Sequence, residues 1–237
     1  MVKRLSFVRE ASTVDASHFA NRWRDDALAQ YTGTPAALRP TRLAHCVTRP
    51  GRHAALYDGV SIALFRDYDS MVASDQHAIA QRYQCASAAV DCPAVHSTVV
   101  EERCVFGADK QQALWRSPAG ATALLLIGLL QRAPQLSRLE FRDYWWDQHR
   151  PLANQLFPPE LQPPIYLHNY TLPHEAFTWD GIGELYESSI DTARQRNNWM
   201  NSDAAAAIVA DEMRFMNRAT RAVLITDFEV LVSDLRS

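Results

Sequence analysis

Residues 136–152 read LSRLEFRDYWWDQHRPL. Ser137 and Glu140 have the S-x-x-E spacing of a capping box, in which hydroxyl and carboxylate each satisfy a backbone N–H that the first helical turn leaves without a partner, so a helix is expected to start here. Phe141, Trp145, His149 and Leu152 follow at steps of four, four and three, which places His149 on the buried stripe of an amphipathic helix. Pro151 has no N–H to give the carbonyl of Asp147, so the ladder is interrupted just past the histidine. An imidazole in that position is either a reactive group or a core histidine with a satisfied hydrogen bond.

The same stretch has an echo 122 residues earlier. Phe19 and Trp23 precede Phe141 and Trp145 by that offset, as Asp25 precedes Asp147, Asp58-Gly59 precedes Asp180-Gly181, and Asp69 precedes Asp191. KRLSFV at 3–8 maps onto LLIGLL at 125–130, and with one residue of slippage His45 falls on His168. Matches in order at one nearly fixed spacing point to one pattern written twice.

Each copy yields the same coarse order. In the first, 3–9 reads as a strand, Asp15 caps a helix over 16–31, strands follow at 42–48 and 60–65, a helical region begins at Asp69, and 98–106 closes the unit as a strand. In the second, the order is strand 123–130, helix 138–156, strands 165–171 and 182–186, helices between Asp191 and Arg218, and strand 222–231. FPPELQPP at 157–164 must be an irregular link, because its prolines exclude helix and inner strand. Residues 107–120, rich in turn formers, read as the connection.

The expected fold class is therefore α+β: two ferredoxin-like (βαββαβ) units packed sheet to sheet as an intramolecular dimeric α+β barrel. The expected boundaries are 1–107 for a degenerate first unit, 108–120 for a linker, and 121–237 for the unit carrying the site.

Composition bounds the function classes. The 237 residues carry a formal net charge of −3 and a pI near 6.2, which gives no electrostatic footprint for nucleic acid or an anionic membrane. The start lacks a signal-peptide pattern, and the longest apolar run, 119–130, is too short to span a bilayer, so a cytoplasmic protein is expected. Cys46, Cys85, Cys92 and Cys104 match no zinc or redox spacing and read as thiols. No metal motif, phosphate-binding glycine loop, dinucleotide fingerprint or nucleophile elbow appears, so no cofactor is expected.

FRDYWWDQHRPL, YLHNYTL, WDGIGELYE and DEMRFMNRA, in that order, resemble the EthD family of the dimeric α+β barrel superfamily. The resemblance is good over 125–231 and weaker over 3–106. It implies two such units forming a barrel. Related barrels include lactone isomerases, cofactor-free monooxygenases, polyketide cyclases and some haem enzymes, so the resemblance does not fix the reaction.

Under the offset, His149 corresponds to Ala27 and Glu184 to Ile62, whereas the aromatics are kept in both copies. A histidine needed only to build the fold would have a counterpart, so the site is expected in the second copy. The candidate catalytic residues are His149 as acid/base, Glu184 as its orienting partner, and Tyr166 or Tyr170 as donor to an oxyanion. Phe141, Trp145, Trp146, His168 and Phe215 are the candidate walls for a flat substrate, although His168 has its counterpart in His45 and is expected to act mainly in packing.

The expected function is cofactor-independent acid/base chemistry of the isomerase, lyase, cyclase or dehydratase type on a small hydrophobic or aromatic metabolite. The alternatives are a non-catalytic carrier of such a metabolite and, behind it, a haem oxidoreductase with His149 as axial ligand. A homodimer of the pseudo-dimer is compatible with all three.

Overall fold

Along VKRLSFVR, partly covered and buried side chains alternate as they must on a strand with one face packed, and this segment forms β1 (Val2–Arg9). The computed structural model in which it is seen describes residues 1–9, 16–51, 55–85, 94–173 and 175–233. Asp15, expected to cap the first helix, and Cys92 lie outside the described residues; Cys46 and Cys104 are thiols.

The fold is mixed α+β. The chain continues through α1 (Ala16–Gly33), β2 (Arg42–Thr48), β3 (Gly59–Phe65), α2 (Tyr68–Cys85), β4 (Ala94–Phe106) and α3 (Ala108–Trp115). It then runs through β5 (Thr122–Leu130), α4 (Arg138–Tyr144), a π-helical turn (Trp145–His149), α5 (Arg150–Leu156), β6 (Ile165–Thr171), β7 (Gly181–Glu187), α6 (Ile190–Met200), α7 (Ala206–Phe215) and β8 (Ala222–Ser233).

Two compact units result: residues 1–99, 114–122 and 227–237 form one, residues 100–113 and 123–226 the other. β4 and β8 each contribute residues to both units. In the first unit the strand order is β4-β1-β3-β2-β8, with β1 and β2 both antiparallel to β3. In the second it is β8-β5-β7-β6-β4, again antiparallel in the β5·β7, β6·β7 and β4·β6 pairs.

Two local expectations change. The connection at 107–120 contains a helix, α3, entered through Gly107 at φ +82°, where a Cβ would come within 2.2 Å of the Pro164 carbonyl oxygen. The single helix expected over 138–156 is three pieces. The Ser137 capping box starts it as expected: Ser137 Oγ accepts from the Glu140 amide, and the Glu140 carboxylate accepts from the Ser137 amide at 2.7 Å. After Tyr144 the helix widens by one residue per turn, with the Arg150 amide donating to the Trp145 carbonyl. Pro151 explains the place: the carbonyl four residues before it has no N–H to accept, and the wider turn absorbs the mismatch.

Candidate functional site

The second unit encloses a cavity of about 490 Å³, walled by the helices on one side and by one face of the sheet on the other. Period-two alternation selects the sheet residues. Leu126, Gly128 and Leu130 of β5, Tyr166 and His168 of β6, Gly183 and Leu185 of β7, and Val223 and Ile225 of β8 all face it. The glycines let the helices lie close: a Cβ on Gly181 would stand 2.6 Å from Trp145 and 2.8 Å from Phe141.

His149, at the end of the π-helical turn, lines this cavity and is 8% exposed. Its Nδ1 meets Asp211 Oδ2 of α7 at 2.9 Å, and the Tyr144 hydroxyl donates to the other carboxylate oxygen at 2.8 Å. An ionised carboxylate can only accept, so Nδ1 carries the proton and Nε2 is left as the nitrogen available to the cavity. This is the arrangement of a general base held in one tautomer by a carboxylate.

Asp211, the partner, was not singled out from sequence. The signal was present: Ile208, Asp211, Glu212 and Phe215 are the buried positions of α7 and follow a helical stripe, so two carboxylates occupy apolar-stripe positions. Glu184, the partner expected instead, lies elsewhere. It is fully buried on the opposite face of β7, where its carboxylate accepts from Asn169 Nδ2 at 3.0 Å and from the Tyr186 hydroxyl at 3.1 Å. The strand parity that turns Gly183 and Leu185 toward the cavity turns Glu184 away from it.

Of the other candidates, Trp145, Tyr166, His168 and Phe215 line the cavity, and Phe141, Trp146 and Tyr170 do not. Phe141 and Tyr170 are core residues around Trp145, at ring separations of 5.5 and 5.4 Å. Trp146 faces Arg150 and Arg103, whose guanidinium carbons sit 4.2 and 5.3 Å from its ring centroid. The Tyr170 hydroxyl meets His168 Nδ1 at 3.0 Å, so it is engaged before any ligand arrives. Tyr166 is different: burial raises the pKa of its hydroxyl, which keeps it a neutral donor at the cavity wall.

His168 is stacked under Trp145 at 3.9 Å and 20°, and burial, followed by the charges of His149, Arg150 and Arg103, pushes its pKa well below the usual histidine value. In the first unit His45 lies under Trp23 at 3.9 Å and 19°, with its pKa lowered to about 3 by burial and by Arg24. Since the first unit reproduces the stack, it belongs to packing.

Glu212 also lines the cavity. Burial raises its pKa against the opposing pull of Arg221, Arg218 and His149, and Arg218 approaches to 2.8 Å. Among the described residues no group of three or more His, Cys, Asp or Glu could hold a metal, and no helix is long and apolar enough to cross a membrane.

Fold and site together describe an α+β protein with a hydrogen-bonded histidine–aspartate pair beside a cavity in one unit. Residues 133–219, which include His149 and Asp211, match the EthD domain family. No curated protein matches the chain. Among solved structures, the chain is similar to an anthrone oxidase-like protein at TM-score 0.60 and 8% identity, covering 99% of this chain and 94% of the other. A candidate chlorite dismutase gives TM-score 0.52 at 9% identity, with 99% and 97% covered. A candidate monooxygenase from Fusobacterium nucleatum subsp. nucleatum gives 0.50 at 8%, with 97% and 91% covered. The fold is thus similar to that of dimeric α+β barrel proteins.

Proposed function

We propose that the chain is an enzyme of proton-transfer chemistry acting on a small hydrophobic or aromatic metabolite. The observation that carries this is the hydrogen bond from His149 to Asp211 on a residue lining a largely apolar cavity. His149 Nε2 takes a proton from a C–H or O–H of the substrate, Asp211 stabilises the imidazolium that forms, and the neutral Tyr166 hydroxyl donates to the oxygen on which negative charge develops. His149 then returns the proton to a different atom, completing an isomerisation, elimination or cyclisation. The name of the anthrone oxidase-like structure bears on substrate class alone: an anthrone is a flat polycyclic ketone with an acidic C–H, the kind of molecule this wall and base suit.

Two variants test the reading. Asp211→Asn keeps the volume and a polar partner for Tyr144 but removes the charge beside the imidazolium. At an effective dielectric near 20, two charges about 4 Å apart interact by about 4 kcal/mol, which corresponds to a loss of roughly a thousandfold in kcat. His149→Ala is expected to lose at least as much. A panel of aromatic ketones and lactones turned over equally well by wild type and both variants would overturn the proposal.

A second reading is favoured by one geometric fact. A ring nitrogen facing a cavity, with a carboxylate behind the other nitrogen, is also the donor set of an axial haem ligand. His149 would hold the iron, and the group would supply one-electron and oxygen chemistry. A Soret band in protein supplied with hemin, absent in His149→Ala, decides for it.

The finer fold assignment is also ours: two copies of one ferredoxin-like unit. It is supported by the matched Trp23–His45 and Trp145–His168 stacks, and by Gly59 and Gly181, at each of which a Cβ would strike the tryptophan of its own unit.

A further inference from the structure

We infer that the ligand of this cavity is a hydrophobic carboxylate, with its anionic group held by Arg196. Among the described residues four arginines line the cavity, Arg150, Arg194, Arg196 and Arg221, against one carboxylate residue, Glu212. Arg194 and Arg221 are drawn partly to Asp191 and Glu212, at 3.1 and 3.9 Å. Arg150 donates to the Trp146 carbonyl and lies over that indole ring.

Arg196 is the one that a bare scaffold does not explain. It rises from α6, is 7% exposed, and pairs through Nη2 with the buried Glu187. Its Nε and Nη1 are buried and find no partner among the described residues. A guanidinium offers five N–H donors, and leaving them unmatched away from water is costly, so a ligand acceptor is the missing element. Glu187 Oε2 likewise finds no partner among the described residues, and burial raises the pKa of this carboxyl against the pull of Arg196.

The surroundings agree. The Tyr166 hydroxyl lies in the field of Arg196, Arg221 and Glu212, which places it toward the same part of the cavity. Phe215, Met216, Ile208 and Leu185 supply an apolar stretch of the wall. The ligand this describes has a flat apolar body and one carboxylate, the body running along the apolar wall toward His149. The inference rests on the cavity assigned above as the active site, but it concerns binding and does not depend on proton transfer.

The test is calorimetric titration with 2-naphthoate and its uncharged counterpart 2-naphthamide. Wild type is expected to bind the acid at least about tenfold more tightly than the amide, the scale of one charge-assisted hydrogen bond. Arg196→Lys keeps a cation beside Glu187 but lacks the planar set of donors, and is expected to lose most of that preference. The double variant Arg196→Gln/Glu187→Gln removes the ion pair together and is expected to abolish it if the lysine variant does not fold. His149→Ala is expected to keep the preference, so a failed acid–base mechanism with intact acid binding is distinguishable from a failed anion site. No binding of 2-naphthoate at millimolar concentration, equal binding of acid and amide by wild type, or an unchanged preference in folded Arg196→Lys overturns the inference.

Discussion

Replacing Gly181 by alanine probes how the site is held to the sheet. Gly181 pairs with Tyr170 and Leu130 in the ladder, and its missing side chain is the space into which the helix settles. A Cβ there would lie 2.6 Å from Trp145 Cζ3 and 2.8 Å from Phe141 Cε1 and Cζ. Both rings are almost fully buried, at 2% and 0% exposure, so neither can swing into solvent. The helix must lift by several tenths of an ångström, or the rings must leave their rotamers. Overpacking of this kind costs about 1–3 kcal/mol. For a chain of this size that is a fall in melting temperature of roughly 2–12 °C. Because Trp145 opens the π-helical turn that ends in His149, the displacement should also weaken 2-naphthoate binding, read by the same titration. Gly128→Ala is the control: its Cβ would have only the Gly183 carbonyl oxygen, at 4.0 Å, as neighbour, so its melting temperature should stay at or slightly above that of wild type. A Gly181→Ala protein that melts within about one degree of wild type would refute the claim that close approach at Gly181 seats the helix.

Asp180→Ala should be among the most destabilising single changes in the second unit. The buried Asp180 carboxylate accepts from Arg138 Nε at 2.9 Å, Arg132 Nη1 at 2.5 Å and the Arg132 amide at 2.9 Å. With one arginine more than a third exposed, a loss of about 2–4 kcal/mol in chemical denaturation is expected, below the fully buried limit. Acid should destabilise the protein beginning near pH 6.5, because His45 and His168 both have folded pKa values depressed by burial, His45 to about 3. Their stabilisation is complete above the unfolded value, and each loses about 1.4 kcal/mol per pH unit as pH falls below it until the folded pKa is reached. Melting curves from pH 7.5 to 5 should show His45→Gln less acid-sensitive than wild type, and equal slopes would contradict the assigned neutral state.

Much of the architecture was legible in the sequence. Strand and helix positions followed from period and from turn residues, and an offset carried them from one half of the chain to the other. The π-helical turn was half legible: Pro151 announced an interruption, but a proline alone does not say whether a helix ends, kinks or widens. The stripe of α7 marked Asp211 as a carboxylate in a buried position, but its pairing with His149 was not legible, since the two lie 62 residues apart and only the packing of α7 against the helix of His149 brings the side chains together. Glu184 was chosen for its type and its strand. Its parity excluded it: Gly181, under Trp145, fixes which face of β7 meets the helices, and Glu184 stands an odd number of residues away.

If the two units are copies, each serves as the other's control for what folding alone requires. The stacked Trp–His pairs agree to within a degree in ring angle, and each tryptophan rests on a glycine at the start of a strand. These positions are demanded wherever a helix is packed on such a sheet, and they appear twice. Under the same offset of 122 residues, His149 meets Ala27 and Arg196 meets Ser74. An imidazole tied to a buried carboxylate and a guanidinium with buried, unmatched donors both carry desolvation costs that packing does not recover. The first unit has alanine and serine at the matching positions, although it holds a buried guanidinium of its own, Arg4, whose Nε finds no partner among the described residues. What distinguishes the second unit is that His149 and Arg196 line one cavity, and the proposed ligand is one that meets both.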